Sequence, residues 1–221
     1  MKTALLLRLG ALSAPLFIVM FFLAGSMHPD YNWLRYPISS LSIGPLGWMQ
    51  ILNFVIAGSL LILLALGLRR SFDARSRGAL WGPLLVALAG LGLVGAGIFV
   101  SDPLFGYPPS LPLVLKQFTW HGHLHDLFSM FVFAGLPAAC FVFWRRFAAL
   151  GERGWATYSL MTAFGMLVFF VLASLAFNQV YGLVNIGGVF QRLTIGAALV
   201  WLSLLALSTH GSKAERSNAS G

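Results

Sequence analysis

Six apolar runs dominate this chain, at about 5 to 26, 46 to 68, 79 to 100, 121 to 144, 155 to 177 and 188 to 209. A helix needs roughly twenty apolar residues to cross the hydrocarbon core of a bilayer, and each run approaches or exceeds that length. Charged residues make up 9% of the chain, where a soluble domain carries about a quarter. The runs therefore predict an all-α membrane protein: six transmembrane helices in one bundle over residues 1–210, followed by a polar, flexible cytoplasmic tail at 211–221.

The formal net charge of +8 would suit a nucleic-acid partner if it formed one patch, but its distribution follows the spans instead. Threaded through six helices, Lys2, Arg8, Arg69, Arg70, Arg75, Arg77, Arg145, Arg146, Arg153, Lys213 and Arg216 fall on one side. Only Arg35, Lys116 and Arg192 fall on the other, balanced there by Asp30, Asp102 and Asp126. Cationic loops stay on the cytoplasmic side, so both termini are expected inside a bacterial cytoplasmic membrane. The expected partners are membrane lipids, with a second copy or another membrane protein as alternatives, and no nucleic acid.

Lys2 and the small residues Ala24-Gly25-Ser26 resemble the ends of a signal peptide, but the apolar stretch is long for one and Arg8 interrupts it. The first span is read as uncleaved, with a kink at Pro15. Gly90, Gly92 and Gly95 match a dinucleotide fingerprint only formally, because they lie inside an apolar span with no preceding strand. Gly92 with Ala96, and Gly97 with Ser101, instead give small residues at spacing four, which allow close helix approach. The single Cys140 has no disulfide partner and is assigned to packing.

Chemistry concentrates where the fourth run begins, at His121-Gly-His-Leu-His-Asp-Leu-Phe-Ser129. His121 and His125 stand four apart, on one helical face. Counting about twenty residues back from Arg145 and Arg146 puts His125 and Asp126 at the boundary opposite the arginines. Asp102 follows the third span, His28 lies in the first outer loop and Arg192 starts the last span, so all can share one depth. Ser39, Ser40, Asn53, Ser129 and Asn178 are supporting polar positions nearby.

Ionisable groups near the membrane are functional candidates by default. Three uses suit these. His121 and His125 with Asp126, Asp102 or His28 would take zinc, which binds imidazole nitrogen and carboxylate oxygen. A haem is disfavoured, since it would normally need an axial ligand from each of two facing helices and His210 lies at the wrong end. Ser39, Ser40 or Ser129 near a His and an Asp would permit nucleophilic chemistry.

Pro37-Ile-Ser-Ser-Leu41 before the second span, Gly97-Ile-Phe-Val-Ser-Asp102 ending the third and the His-bearing start of the fourth resemble the six-span prokaryotic membrane proteins grouped as domain of unknown function 998. That resemblance implies the architecture and no particular activity. A more distant likeness, on Asp102 and His121 or His125, is to the alkaline ceramidase and adiponectin-receptor superfamily. It implies a zinc-dependent membrane hydrolase acting on lipids, although those proteins have seven spans. The leading expectation is a pocket open to the outer side, contacted by His121, His125, Asp126, Asp102 and Arg192, for a lipid headgroup, small ligand or ion. The alternatives are the zinc hydrolase and a structural membrane partner without a ligand.

Overall fold

The computed structural model describes residues 2–104, 107–109, 118–180 and 182–219, with side chains to 211. The described helices are α1 (Thr3–Ala11), α2 (Ser13–Met27), α3 (Trp48–Ser71), α4 (Trp81–Ile98), α5 (Trp120–Ala149), α6 (Arg153–Phe177) and α7 (Gly187–Ala219), with a short 3-10 helix at Ile38–Ser42. Taken together, α1 and α2 make one span, and six spans are long and apolar enough to cross a membrane. The predicted six-helix architecture is therefore found, on bounds close to the apolar runs. At the C-terminus the backbone helix continues to Ala219, beyond the end of the apolar stretch at Gly211.

The break between α1 and α2 has a local cause. Pro15 has no N–H to give to the Ala11 carbonyl, and its ring crowds that turn. The helix stops at Ala11 and restarts at Ser13, with Leu16 N bonding Leu12 O at 3.1 Å.

Helices adjacent in sequence are adjacent in space, and the ring closes where α7 packs on α1 and α2. Trp201, Phe143, Leu61, Leu64, Leu199 and Leu202 are fully buried at its centre. The Trp201 indole donates to Ser159 Oγ at 3.0 Å, which satisfies its one polar atom between α7 and α6. On the outside, Val19, Leu52, Leu91, Met161 and Val171 are exposed, the surface that a lipid-facing bundle presents.

Two glycines set the distance between α3 and α4. A Cβ on Gly58 would lie 2.5 Å from the Gly90 carbonyl, and one on Gly90 would lie 2.7 Å from the Gly58 carbonyl. The rest of the α4 glycine stripe divides between neighbours: Gly97 faces Phe54 and Ile51 of α3, whereas Gly92 and Gly95 face Phe128 of α5. Small residues thus bring three backbones together around the end of α4, where the polar residues gather.

Candidate functional site

Antiparallel neighbours put the starts of α3, α5 and α7 and the ends of α2, α4 and α6 at one end of the bundle. The described interactions there form two groups, bridged by the Ser101 hydroxyl, which donates to the Ser39 carbonyl at 3.3 Å. One joins α4 to α5 and borders a cavity. The other pins the first loop to α7.

At the α4–α5 junction, Thr119 caps α5 by accepting from Gly122 N. Asp102 supports the cap: its Oδ2 accepts from Thr119 N at 2.8 Å and its Oδ1 from Thr119 Oγ1 at 2.7 Å. A carboxylate there also meets the positive end of the α5 dipole. Gly122 leaves the room for it, since an added Cβ would run into the Asp102 carboxyl group. One turn further on, His125 is 4% exposed, with Nδ1 3.0 Å from Ala96 O and 2.8 Å from Phe99 O. Carbonyl oxygens only accept, so Nδ1 carries the proton and donates. In the neutral ring Nε2 therefore keeps a bare lone pair.

His125 lines two adjoining spaces. The outer, of about 550 Å³, is bordered by Ser39, Asp102, His125, Asp126, Ser129 and Gln191, with Phe133 and Phe177 among its apolar walls. The inner, of about 400 Å³, shares Ser39, His125, Ser129 and Gln191 but is otherwise walled by Phe17, Phe54, Leu93, Val132 and Ile195. A third space, of about 730 Å³, shares Asp126, Ser129, Phe133, Phe177 and Gln191 with the outer one and continues along Leu127, Met130, Phe170 and Ala173. Leu127 and Met130 are about half exposed, at 51% and 47%. This third space therefore opens sideways, between α5 and α6.

Arg192 belongs to the second group. It is 8% exposed and donates to the Tyr36 carbonyl at 3.1 Å, the Gly188 carbonyl at 2.9 Å and the Tyr31 hydroxyl. Its guanidinium also lies 5.5 Å from the Phe21 ring centre and 5.7 Å from that of Tyr31. Burying an arginine costs ~2.5–3.5 kcal/mol at mid-membrane, less near the boundary. Charge-assisted hydrogen bonds contribute ~1.5–3 kcal/mol each, so three of them offset that cost without a carboxylate. Tyr31 passes the link on to the Tyr36 and Pro37 carbonyls, and Gln191 Oε1 accepts from Ile38 N at 2.7 Å. The Ile38–Ser42 turn is thereby held in the mouth of the bundle, with Ile38 and Leu41 in the core.

Burial raises the Tyr31 phenol above its ordinary value, against a smaller opposing effect of Arg192. Tyr107, whose ring centre is 4.9 Å from that of Tyr36, is pushed up by burial to about 12. Both stay neutral, and Tyr31 can accept from Arg192 while donating to carbonyls.

Of the residues predicted from sequence, His125, Asp126, Asp102, Ser39 and Ser129 come together around the outer space. Arg192, His121 and His28 do not line it. Arg192 turns into the first loop. His121 is exposed beside the Trp120 ring, whereas Gly122 on the other side of the same turn packs against Asp102. His28 is buried with Nδ1 on Ala24 O at 2.7 Å, and its buried Nε2 has no partner among the described residues. Ser40 is buried, and its hydroxyl has no partner among the described residues. Asn53 ties α3 to α2 through the Phe17 carbonyl at 3.1 Å, and Asn178 bonds the Ser174 carbonyl of its own helix. Lys116 lies outside the described residues. Gln191 borders all three spaces; its only signal in sequence is an amide in the first turn of an apolar span.

Among the described residues no group of three or more His, Cys, Asp or Glu side chains is placed to hold a metal ion. The zinc expectation needed His121 and His125 to converge, and the two rings instead face different surroundings. What the site offers is an imidazole lone pair, carboxylates and hydroxyls in a cavity with an apolar extension.

A family model described as a protein of unknown function, DUF998, matches residues 11–208, and the chain belongs to that family. No curated protein and no solved structure matches it.

Proposed function

We propose, starting from membership of that family, that this membrane protein binds the polar head of a lipid in the cavity beside His125, the lipid entering sideways between α5 and α6. One observation carries the reading: the polar space and the lateral one lie side by side and share Asp126, Ser129, Phe133, Phe177 and Gln191 as lining. A head can then rest among polar groups while its chain stays against Met130, Phe170 and Ala173, without leaving apolar surroundings.

The lining also favours a kind of head. Among the described residues the cavity carries Asp102 and Asp126 but no lysine or arginine. Asp102 is engaged with Thr119, which leaves Asp126 to meet a cationic amine and His125, Ser39, Ser129 and Gln191 to bond hydroxyl groups. An amine- or hydroxyl-bearing head fits better than one that is only anionic. The charge pattern supports placing this end outside a bacterial cytoplasmic membrane.

Lipid retention tests the reading. Protein purified in a mild detergent is extracted and its bound lipid counted, wild type against Ser129→Phe, which fills the junction of the three spaces. The wild type is expected to keep about one lipid per chain and the variant to lose it with helix content unchanged; equal retention would overturn the proposal. Asp126→Asn is expected to lower the share of amine-bearing heads. A hydrolytic reading ranks second and rests on the His125 lone pair sharing a cavity with the Ser39 and Ser129 hydroxyls.

A further inference from the structure

We propose that the arginine-rich end carries a second lipid site, a groove at the start of α4 that takes the phosphate of an anionic phospholipid. It is independent of the His125 cavity and lies at the other end of the same helices.

The groove, of about 620 Å³, is lined by Arg77, Gly78, Trp81, Val142 and Arg145. Its shape is fixed by the neighbouring arginine. Arg146 Nη1 donates to Ser76 Oγ at 2.8 Å and to the Arg77 carbonyl at 2.9 Å, with its guanidinium 3.9 Å from the centre of the Phe72 ring. Gly78, at φ +75°, lets the loop lie directly on α5, where an added Cβ would come within 3.1 Å of Val142. The loop is thus clamped to α5 on both sides of Arg77. Arg146 is used in this clamp, whereas Arg77 and Arg145 show no hydrogen-bond or ion-pair partner for their guanidinium groups among the described residues. Two uncommitted guanidinium groups on one groove form a phosphate-recognising pair, and the N-terminal end of α4 adds positive potential from its dipole.

The apolar half of the groove identifies the source of the phosphate. Trp81 is 62% exposed and Leu84, three residues on and so on the same face, is 48% exposed. A tryptophan at this level marks the membrane interface, and the leucine below it gives acyl chains a surface that free phosphate would not use.

Native mass spectrometry in detergent tests this, with phosphatidylglycerol, phosphatidylcholine and inorganic phosphate as probes. The variants are Arg77→Gln/Arg145→Gln and, as a charge-matched control away from the groove, Arg75→Gln/Arg153→Gln. Each guanidinium that bonds the phosphate directly contributes a charge-assisted hydrogen bond, so losing both should weaken phosphatidylglycerol binding about 10- to 30-fold. The control should stay within about threefold of the wild type, and the wild type should prefer phosphatidylglycerol to both other probes. Equal losses in groove and control variants would reduce the effect to net charge and overturn the site. So would a wild type that does not discriminate among the probes. Arg145→Gln alone, at an exposed position, keeps the test available if the double variant folds poorly. Loss of binding here with lipid retention at His125 intact would separate the two sites.

Discussion

Replacing His125 with alanine removes the donor shared by the Ala96 and Phe99 carbonyls and leaves both at a buried helix end. The expected cost is about 2 kcal/mol, read as a lower unfolding midpoint in detergent. Asparagine can keep a donor near the Nδ1 position but has nothing at Nε2, so His125→Asn should lose less stability than alanine and yet lose the bound lipid. The tyrosines give a pH signature. Because the folded forms of Tyr31 and Tyr107 titrate above the ordinary 10.0, and Tyr107 near 12, the stability they contribute is complete below pH 10 and is lost as pH rises through the folded values. The unfolding midpoint should fall between pH 10 and 12, less steeply in Tyr107→Phe. The HxxxH spacing made His121 and His125 look equivalent. What separates them is their surroundings: His125 meets the end of α4, whereas His121 is exposed beside Trp120, and no local pattern encodes that difference.

At the scale of elements, the Gly58–Gly90 crossing brings the α3 and α4 backbones too close for an added methyl group. A methyl group on Gly58 would strike backbone atoms, which cannot move aside as a side-chain tip can, so Gly58→Ala should destabilise the protein by ~1–3 kcal/mol. Gly165 of α6 has open space around its Cβ position, and Gly165→Ala should be neutral or stabilising by ~0.5–1 kcal/mol. Thermal unfolding of the pair checks both signs. The spans themselves were readable because apolar length is a local property, as was the break that Pro15 imposes. The small-residue stripe on α4 was readable too, but spacing shows that a face is small without showing which helix fills it: Gly92 turned out to meet α5 and Gly97 α3. The burial of Ile38–Ser42 was not readable. It depends on Gln191 and Arg192, some 150 residues away in sequence, and from sequence Arg192 was expected to face the pocket instead.

For the whole molecule, the proposed orientation and the proposed lipid preferences both rest on eleven of the fourteen lysines and arginines lying at the end away from His125. If the positive charge is cytoplasmic, a membrane-impermeant maleimide should label Asn32→Cys in intact cells and spare Arg75→Cys, with native Cys140 buried and silent; the reverse pattern would invert the bundle. The same separation is why one end is read as binding amine- or hydroxyl-bearing heads and the other anionic ones. The most direct test of the central claim is photo-crosslinking in membranes with a phospholipid carrying a diazirine in its chain, followed by peptide mapping of the adducts. The account predicts adducts concentrated on residues 127–133 of α5 and 170–177 of α6, and abolished there by Ser129→Phe. Adducts spread evenly over the lipid-facing residues of all six spans, unchanged in the variant, would contradict it.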